Sequence, residues 1–296
     1  MFDSPLSASP YEVLGADTAA SHDDLRRAFR ARLRHTHPDT GGDAAQFIQV
    51  QRAWEILGTP ISRAAFDSGS VAEQSWRPRP TSTAGGRLRA TTHGTAGARR
   101  RAAYAEAARE RAGDDADVYA AGFVRAAPWE LRALLAAAIA EEQTAAAIDD
   151  LGIGFTVWHA METGENDALD HVILAPSGLY GAMSADLGGP VRFRRGEPIG
   201  DGVGDRTPLA ELTRCMRLVA RTAGVRFSAA ILVLPDEDLA SAEVPLGVVR
   251  GIRAVAVRRS ALRMLLRSGA PGARRIGGNE VFDVRTRLTQ RMRVWG

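Results

Sequence analysis

Three residues of different chemistry stand side by side at His37-Pro38-Asp39: an imidazole, a ring that fixes the backbone, and a carboxylate. They lie inside the string Arg32-Leu33-Arg34-His35-Thr36-His37-Pro38-Asp39-Thr40-Gly41-Gly42-Asp43, between two segments of helical periodicity. Such tripeptides recur by chance, and proline and aspartate are common in turns, so meaning must come from the flanks. A second set of candidates lies downstream, the imidazoles of His159 and His171. The two histidines fall on separate strand-like runs with no cysteine or paired acid at ligand spacing, and are read as satisfied structural residues. The chain has no lysine, all 38 basic residues being arginine. That excludes a phosphate-loop lysine, a Schiff base and a lysine-assisted nuclease site.

The elements around the tripeptide follow from spacing. Ser21 caps a helix whose first turn carries Asp23 and Asp24. Leu25, Phe29 and Leu33 recur every four residues as one apolar stripe, while Arg26, Arg27, Arg30 and Arg34 form a basic face on another arc. Pro38 stops the helix and biases His37 away from helical angles. Gly41-Gly42 completes the turn, Asp43 caps the next helix, and Phe47, Val50, Trp54 and Leu57 form a second stripe. Two helices with facing stripes and a short loop pack as an antiparallel hairpin, which predicts that His37 and Asp39 sit at an exposed tip.

The wider flanks carry more. Pro10-Tyr11-Glu12-Val13-Leu14-Gly15 precedes the hairpin, and Ala53-Trp54-Glu55-Ile56-Leu57 and then Arg63 through Phe66-Asp67 follow it. Together these motifs resemble the J domain of DnaJ-type co-chaperones over residues 9–69. His35-Thr36 replaces the usual basic-aromatic pair, and Phe66 replaces a tyrosine. The resemblance implies a four-helix fold that docks on a DnaK-type chaperone and triggers its ATP hydrolysis. His37, Pro38 and Asp39 would deliver the trigger. The face of Arg26, Arg27, Arg30 and Arg34 would meet an acidic chaperone surface, giving orientation and on-rate more than affinity. The phosphoryl chemistry then belongs to the partner, so this chain is expected to need no cofactor and to be no enzyme itself.

A chain of 296 residues has room for two or three units. The single Cys215 precludes an internal disulfide framework and suits a reducing cytoplasm. The most apolar helix, around Leu131 to Ala140, is too short and too charged to span a bilayer. Residues 70–113 hold nine arginines against three acids, with few side chains able to bury a core. They read as a flexible basic linker, with a transient helix over Ala102 to Arg111. Within it, Arg99-Arg100-Arg101 offers at most nonspecific phosphate contact.

From Pro128 onward helices and strands alternate. Long helices are predicted from Pro128 to about Asp149 and from Pro208 to Ala223, and shorter ones over Ser260–Arg267 and Val284–Val294. Strands are predicted at Phe155–Met161, Leu169–Ala175, Leu179–Ala185, Ser228–Leu234 and Val248–Val257. This is an α/β domain with a mixed central sheet, over 114–296. The run Leu169-Asp170-His171-Val172-Ile173-Leu174-Ala175-Pro176-Ser177-Gly178-Leu179-Tyr180, with Gly188-Gly189 after it, is similar to the hairpin of the nuclease-related NERD domain, a branch of the restriction-endonuclease-like fold. That resemblance implies a metal site in which Asp170 is the first acid, Glu141 or Glu142 the helix carboxylate and Glu211 the residue replacing a glutamine. Met183 and Ala185 stand where the second acid and the lysine belong. The site thus reads as dismantled, and the domain as one that selects an unknown client or location. A nucleic-acid-processing or nucleic-acid-binding protein with a J-domain adaptor is the alternative.

Overall fold

The computed structural model describes residues 4–6, 8–37, 42–67, 89–164 and 167–295. It divides into two compact units, one formed by residues 1–78 with 117–127, the other by 79–116 with 128–296.

In the first unit, α1 (Pro10–Leu14), α2 (His22–Thr36), α3 (Ala44–Leu57) and α4 (Pro60–Asp67) follow one another. Ser9 and Ser21 each close a capping box, with Glu12 and Asp24 respectively, so two orphan amides are satisfied at each helix start. The Asp43 carboxylate accepts from the Gln46 amide at 3.2 Å. The anticipated stripes meet: Leu25, Val50 and Leu57 are buried, and Phe29 stacks on Trp54 with ring centroids 4.5 Å apart. Arg63 of α4 ties the unit together, donating to the Tyr11 hydroxyl at 2.9 Å and to the carbonyls of Ala20 and Thr18 at 2.7 and 2.8 Å. Tyr11 in turn donates to Asp67 at 2.8 Å. A short helix, α6 (Ala121–Ala126), joins this unit, with the Arg125 guanidinium 5.0 Å from the Phe66 ring centroid.

The second unit is built on a seven-stranded mixed sheet. Its strands are β1 (Thr91–His93), β2 (Thr156–Glu162), β3 (Ala168–Ala175), β4 (Gly178–Ser184), β7 (Ala229–Leu234), β8 (Glu243–Val249) and β9 (Ile252–Arg258). They run in the order β1-β2-β3-β4-β7-β9-β8. A separate hairpin pairs β5 (Arg192–Arg194) with β6 (Glu197–Ile199). The parallel pairs β4–β7 and β7–β9 form the middle, and β7 is buried along its length, as a strand covered on both faces must be. α7 (Trp129–Ile148) and α9 (Leu262–Ser268) bring Ile148, Leu262 and Leu265 onto one face, against Ile173, Tyr180, Ile231 and Val255. α8 (Pro208–Ala223) and α10 (Asn279–Arg291) bring Leu212, Met216, Val219 and Leu288 onto the other, against Val172, Leu174 and Leu232. Gly181 makes the close approach of α8 possible, since a Cβ there would lie 2.6 Å from Met216 Cγ.

Four expectations need correction. The flexible linker over 70–113 does not hold for its described part. β1 pairs in parallel with β2, and α5 (Ala98–Ala112) buries Arg101, Tyr104, Ala105 and Ala108; residues 68–88 lie outside the described residues. Residues 117–127, placed with the second domain, cluster with the first unit. The single strand over Val248–Val257 is two, folded at Arg250-Gly251, where both residues have positive φ as a type I′ turn requires. The last helix ends at Arg291 rather than Val294, and Val294 bridges Met161 of β2.

Candidate functional site

At the carboxyl end of α2 the backbone leaves helical geometry at His37, with φ −64° and ψ 128°, the extended bias that a following proline imposes. Its carbonyl accepts from the Gly42 amide at 3.0 Å, closing the turn. The His37 ring is half-buried rather than fully exposed, because it stands edge-on to Phe47 of α3 at 5.0 Å. Pro38 and Asp39 lie outside the described residues. Arg26, Arg27, Arg30 and Arg34 are all exposed along α2. Arg27 pairs with Asp24 one turn away, and Arg34 donates to the Arg30 carbonyl at 3.2 Å. Among the described residues Arg26, Arg27 and Arg30 meet no carboxylate outside their own helix, and a basic strip leads toward His37.

The carboxylates of the second unit do converge, around an arginine. Arg100 of α5 donates through Nε to Glu141 at 2.5 Å and through a terminal nitrogen to Asp170 at 3.2 Å. The other Glu141 oxygen accepts from the Gly97 amide at 3.0 Å, at the first turn of α5, where a carboxylate is favoured by the helix dipole. The other Asp170 oxygen accepts from the Ser184 amide at 3.0 Å. Gly97 sits so close to α7 that a Cβ would lie 2.6 Å from the Ala138 carbonyl oxygen. Beside this cluster, Arg101 grips Glu142 side-on, at 2.6 and 2.8 Å, and Asp167 pairs with Arg214 and lies 3.9 Å from Arg99. Burial works against the charge on Arg100, yet the Asp170 and Glu141 carboxylates more than offset it and hold the guanidinium charged. Two acids sharing one cation leave an excess negative charge. Burial first, and then the Asp170 charge, push the Glu141 carboxyl up.

A hydrogen-bonded chain runs on from there. His159 and His171 face each other through their Nδ1 atoms at 2.8 Å, His171 Nε2 meets the Ser184 hydroxyl at 2.8 Å, and that hydroxyl donates to Thr144 at 2.8 Å. Because Ser184 spends its proton on Thr144, His171 must donate through Nε2 and accept at Nδ1 from His159. Burial pushes His159 down to about 3 and His171 to about 4, so both rings are neutral. The strand geometry adapts here. Trp158 and Met161 share the α8-side core although three residues apart, and the intervening Ala160 takes up the change at φ 47°.

The remaining expected site residues separate. Glu211, in the first turn of α8, faces the cluster electrostatically; burial and the charges of Asp167 and Asp170 raise its carboxyl, and Arg100 lowers it. Met183 packs into the apolar layer under α8, and Ala185 packs against that layer while its amide donates to the Val233 carbonyl at 3.0 Å. Side chains alternate along a strand, so the β4 residue that reaches the cluster is Ser184. Sequence spacing missed both Ser184 and Arg100, the latter because its acids lie 41 and 70 residues away. A divalent ion does not fit this arrangement: the gap between Glu141 and Asp170 is filled by the Arg100 guanidinium. Among the described residues no helix is long and apolar enough to cross a membrane.

Residues 9–67 match the family model described as the DnaJ domain, and this segment is a J domain. It is 42% identical over 57 residues to a DnaJ protein homolog of Cucumis sativus, covering 19% of this chain and 14% of that protein. It is 41% identical over 66 residues to chaperone protein DnaJ 1 of Cutibacterium acnes, covering 22% and 17%, and 40% identical over 65 residues to chaperone protein DnaJ of Rippkaea orientalis, covering 21% and 17%. The chain therefore spans less than a fifth of the length of these curated relatives. No solved structure matches the chain.

Proposed function

We propose that this protein is a co-chaperone whose J domain stimulates the ATPase of a DnaK-type chaperone, and whose second unit selects a client or location without cutting nucleic acid. The observation that carries the first half is the match over residues 9–67, joined to the basic strip of α2 that ends at His37. The strip orients the chaperone by charge, and His37-Pro38-Asp39 acts on it. The second half is supported by Arg100, which stands between the acids that a nuclease of this resemblance would use for a metal. The chemistry of hydrolysis stays with the partner, in the cytoplasm.

The test is single-turnover ATP hydrolysis by a DnaK-type chaperone with the full chain and its His37→Gln form. Stimulation is expected from the first and not the second, with the circular dichroism of both unchanged. Equal stimulation by the two proteins would end the co-chaperone reading. Metal-dependent cleavage of DNA or RNA that disappears in Asp170→Ala would end the non-cleaving reading.

A further inference from the structure

The second unit carries 29 arginines against 24 acids, and its charges are sorted in space. Residues 212–227 carry Arg214, Arg217, Arg221 and Arg226 without a single Asp or Glu, and residues 284–296 carry Arg285, Arg287, Arg291 and Arg293, again without one. The fold brings these segments together, with Val284 and Leu288 of α10 in the same core layer as Val219 and Ala223 of α8. At the carboxyl end of α8, Arg287 donates to the Gly224 carbonyl at 3.0 Å, and a Cβ on Gly224 would lie 3.5 Å from an Arg291 nitrogen. Arg217 donates to the Arg250 carbonyl. These are bonds to neutral backbone, so they fix the guanidinium groups without cancelling their charge. Arg214 is the exception, paired with Asp167. Among the described residues Arg217, Arg221, Arg287 and Arg291 are exposed and have no carboxylate within ion-pair distance. Arg214, Arg217, Leu218, Ala220 and Arg221 line an open groove of about 570 Å³ along α8.

We infer that the α8–α10 arginine surface binds the phosphate backbone of duplex DNA without reading its sequence. Arg217 and Arg221 stand about 6 Å apart along the helix axis at 1.5 Å per residue, with Arg287 and Arg291 beside the carboxyl end of α8. A duplex presents a phosphate charge about every 3.4 Å along each strand, so a surface of this extent meets several. The groove lining contains no aromatic side chain, which removes the stacking platform that single strands require. It also lacks the large apolar anchors at the centre of a protein–protein contact, its apolar residues being Leu218 and Ala220. Arg99, Arg100 and Arg101 are a different set, their charges held by acids, with Arg99 sharing Asp167 with Arg214; the inference goes beyond the co-chaperone reading.

The experiment titrates the full chain onto a fluorescent 30-base-pair duplex of arbitrary sequence, from about 50 to 200 mM salt. Four phosphate contacts give a log-affinity against log-salt slope near −3.6, or roughly a 100-fold loss over that range. The triple substitution Arg217→Glu, Arg221→Glu and Arg287→Glu should abolish binding, and Arg217→Gln with Arg221→Gln should lower the slope by about 1.8. Replacing Arg77, Arg79, Arg87 and Arg89 by Ser, or His37 by Gln, should leave it unchanged. Urea midpoints of the variants establish that they are folded, and the Gln pair decides the matter where the Glu triple is not. No binding by the wild-type chain overturns the inference. So does binding that survives the α8 and α10 substitutions, tighter binding to a single strand or RNA duplex, or loss with the Arg77–Arg89 set.

Discussion

Helices α2 and α5 carry the same side chain to opposite ends. In α2, Arg26, Arg27, Arg30 and Arg34 are exposed, and Arg27 pairs with Asp24 of the same helix. In α5, Arg99, Arg100 and Arg101 reach Asp167, Glu141, Asp170 and Glu142, residues from other elements of the sheet domain. Arg26 and Arg30 of the first set are available to another molecule; the second set is used in holding α5 to its own unit. Both helices carry a cluster of arginines within a few residues. What differs is the distance along the chain to the acid, and that distance decides whether a basic run is a binding surface or an internal tie. Surface pairs are worth little, whereas removing one member of a buried pair strands the other.

The sharpest way to break this contrast is Arg100→Ala. It leaves Glu141 and Asp170 facing each other, buried and without their cation, and the cost of such a break is about 3–5 kcal/mol. The urea midpoint of the sheet domain should fall accordingly, and Arg100→Met combined with Glu141→Gln should recover part of the loss. A change below about 0.5 kcal/mol, the size expected of an ordinary surface substitution, would show that the cluster does not hold α5.

The neutral histidine pair sharpens the contrast through pH. A histidine whose folded-state value is depressed takes up its proton only when unfolded, between that value and the ordinary 6.5, so stability falls as pH drops through the interval. For His171 the window runs from 6.5 to about 4, and for His159 to about 3. Glu141 works the other way: its raised value favours the fold at low pH, and that contribution is lost as pH rises through the folded-state value. Asp238 and Glu211 are raised as well and act in the same sense as Glu141, so the histidine pair is read by difference, each proton being worth at most about 1.4 kcal/mol per pH unit. When urea midpoints are compared from pH 7 down to pH 5, His159→Gln should gain stability relative to wild type as pH falls. A difference between the two proteins that stays constant with pH would mean that the pair protonates in the folded state.

The same contrast explains what could be read from the chain in advance. Capping boxes at Ser9 and Ser21, the stripes of α2 and α3 and the turn at Pro38 are set by neighbours within a few residues, and local signals are what a sequence displays. α8 and β7 were equally legible, since amphipathic and continuous apolar runs need no knowledge of partners. α5 was not. Its apolar residues are mostly alanine, whose small side chains look like linker composition until Tyr104 and Ala108 are seen packed away from solvent. β1 is three residues long. Two of the three two-residue hairpin turns among the described residues use Arg-Gly, at Arg195-Gly196 and Arg250-Gly251, all four residues with positive φ; the usual signal is Asn-Gly or Asp-Gly, so neither is legible as a turn in the sequence. Asp170 and Glu141 were found as acids, but their cation was sought as a metal or a lysine. Met183 and Ala185 were placed by counting along a strand, and the alternation of β4 turned Ser184 inward instead.

The smallest effect on stability, and the most informative about function, belongs to Arg26→Glu with Arg30→Glu. Among the described residues neither has an acidic partner outside its helix, so the unfolding free energy should move by less than about 0.5 kcal/mol. Affinity for a DnaK-type chaperone should nevertheless fall, mainly through a slower association rate, since exposed charge steers encounter more than it holds the complex. Wild-type association should itself slow as salt rises from 50 to 300 mM, because the Debye length shortens from more than about 10 Å to less than about 8 Å over that range. The double variant should show little of this salt dependence. Association measured by stopped flow distinguishes the outcomes. If the variant associates at the wild-type rate with the same salt response, the α2 arginines are solvated surface, and their resemblance to a docking face is only one of spacing.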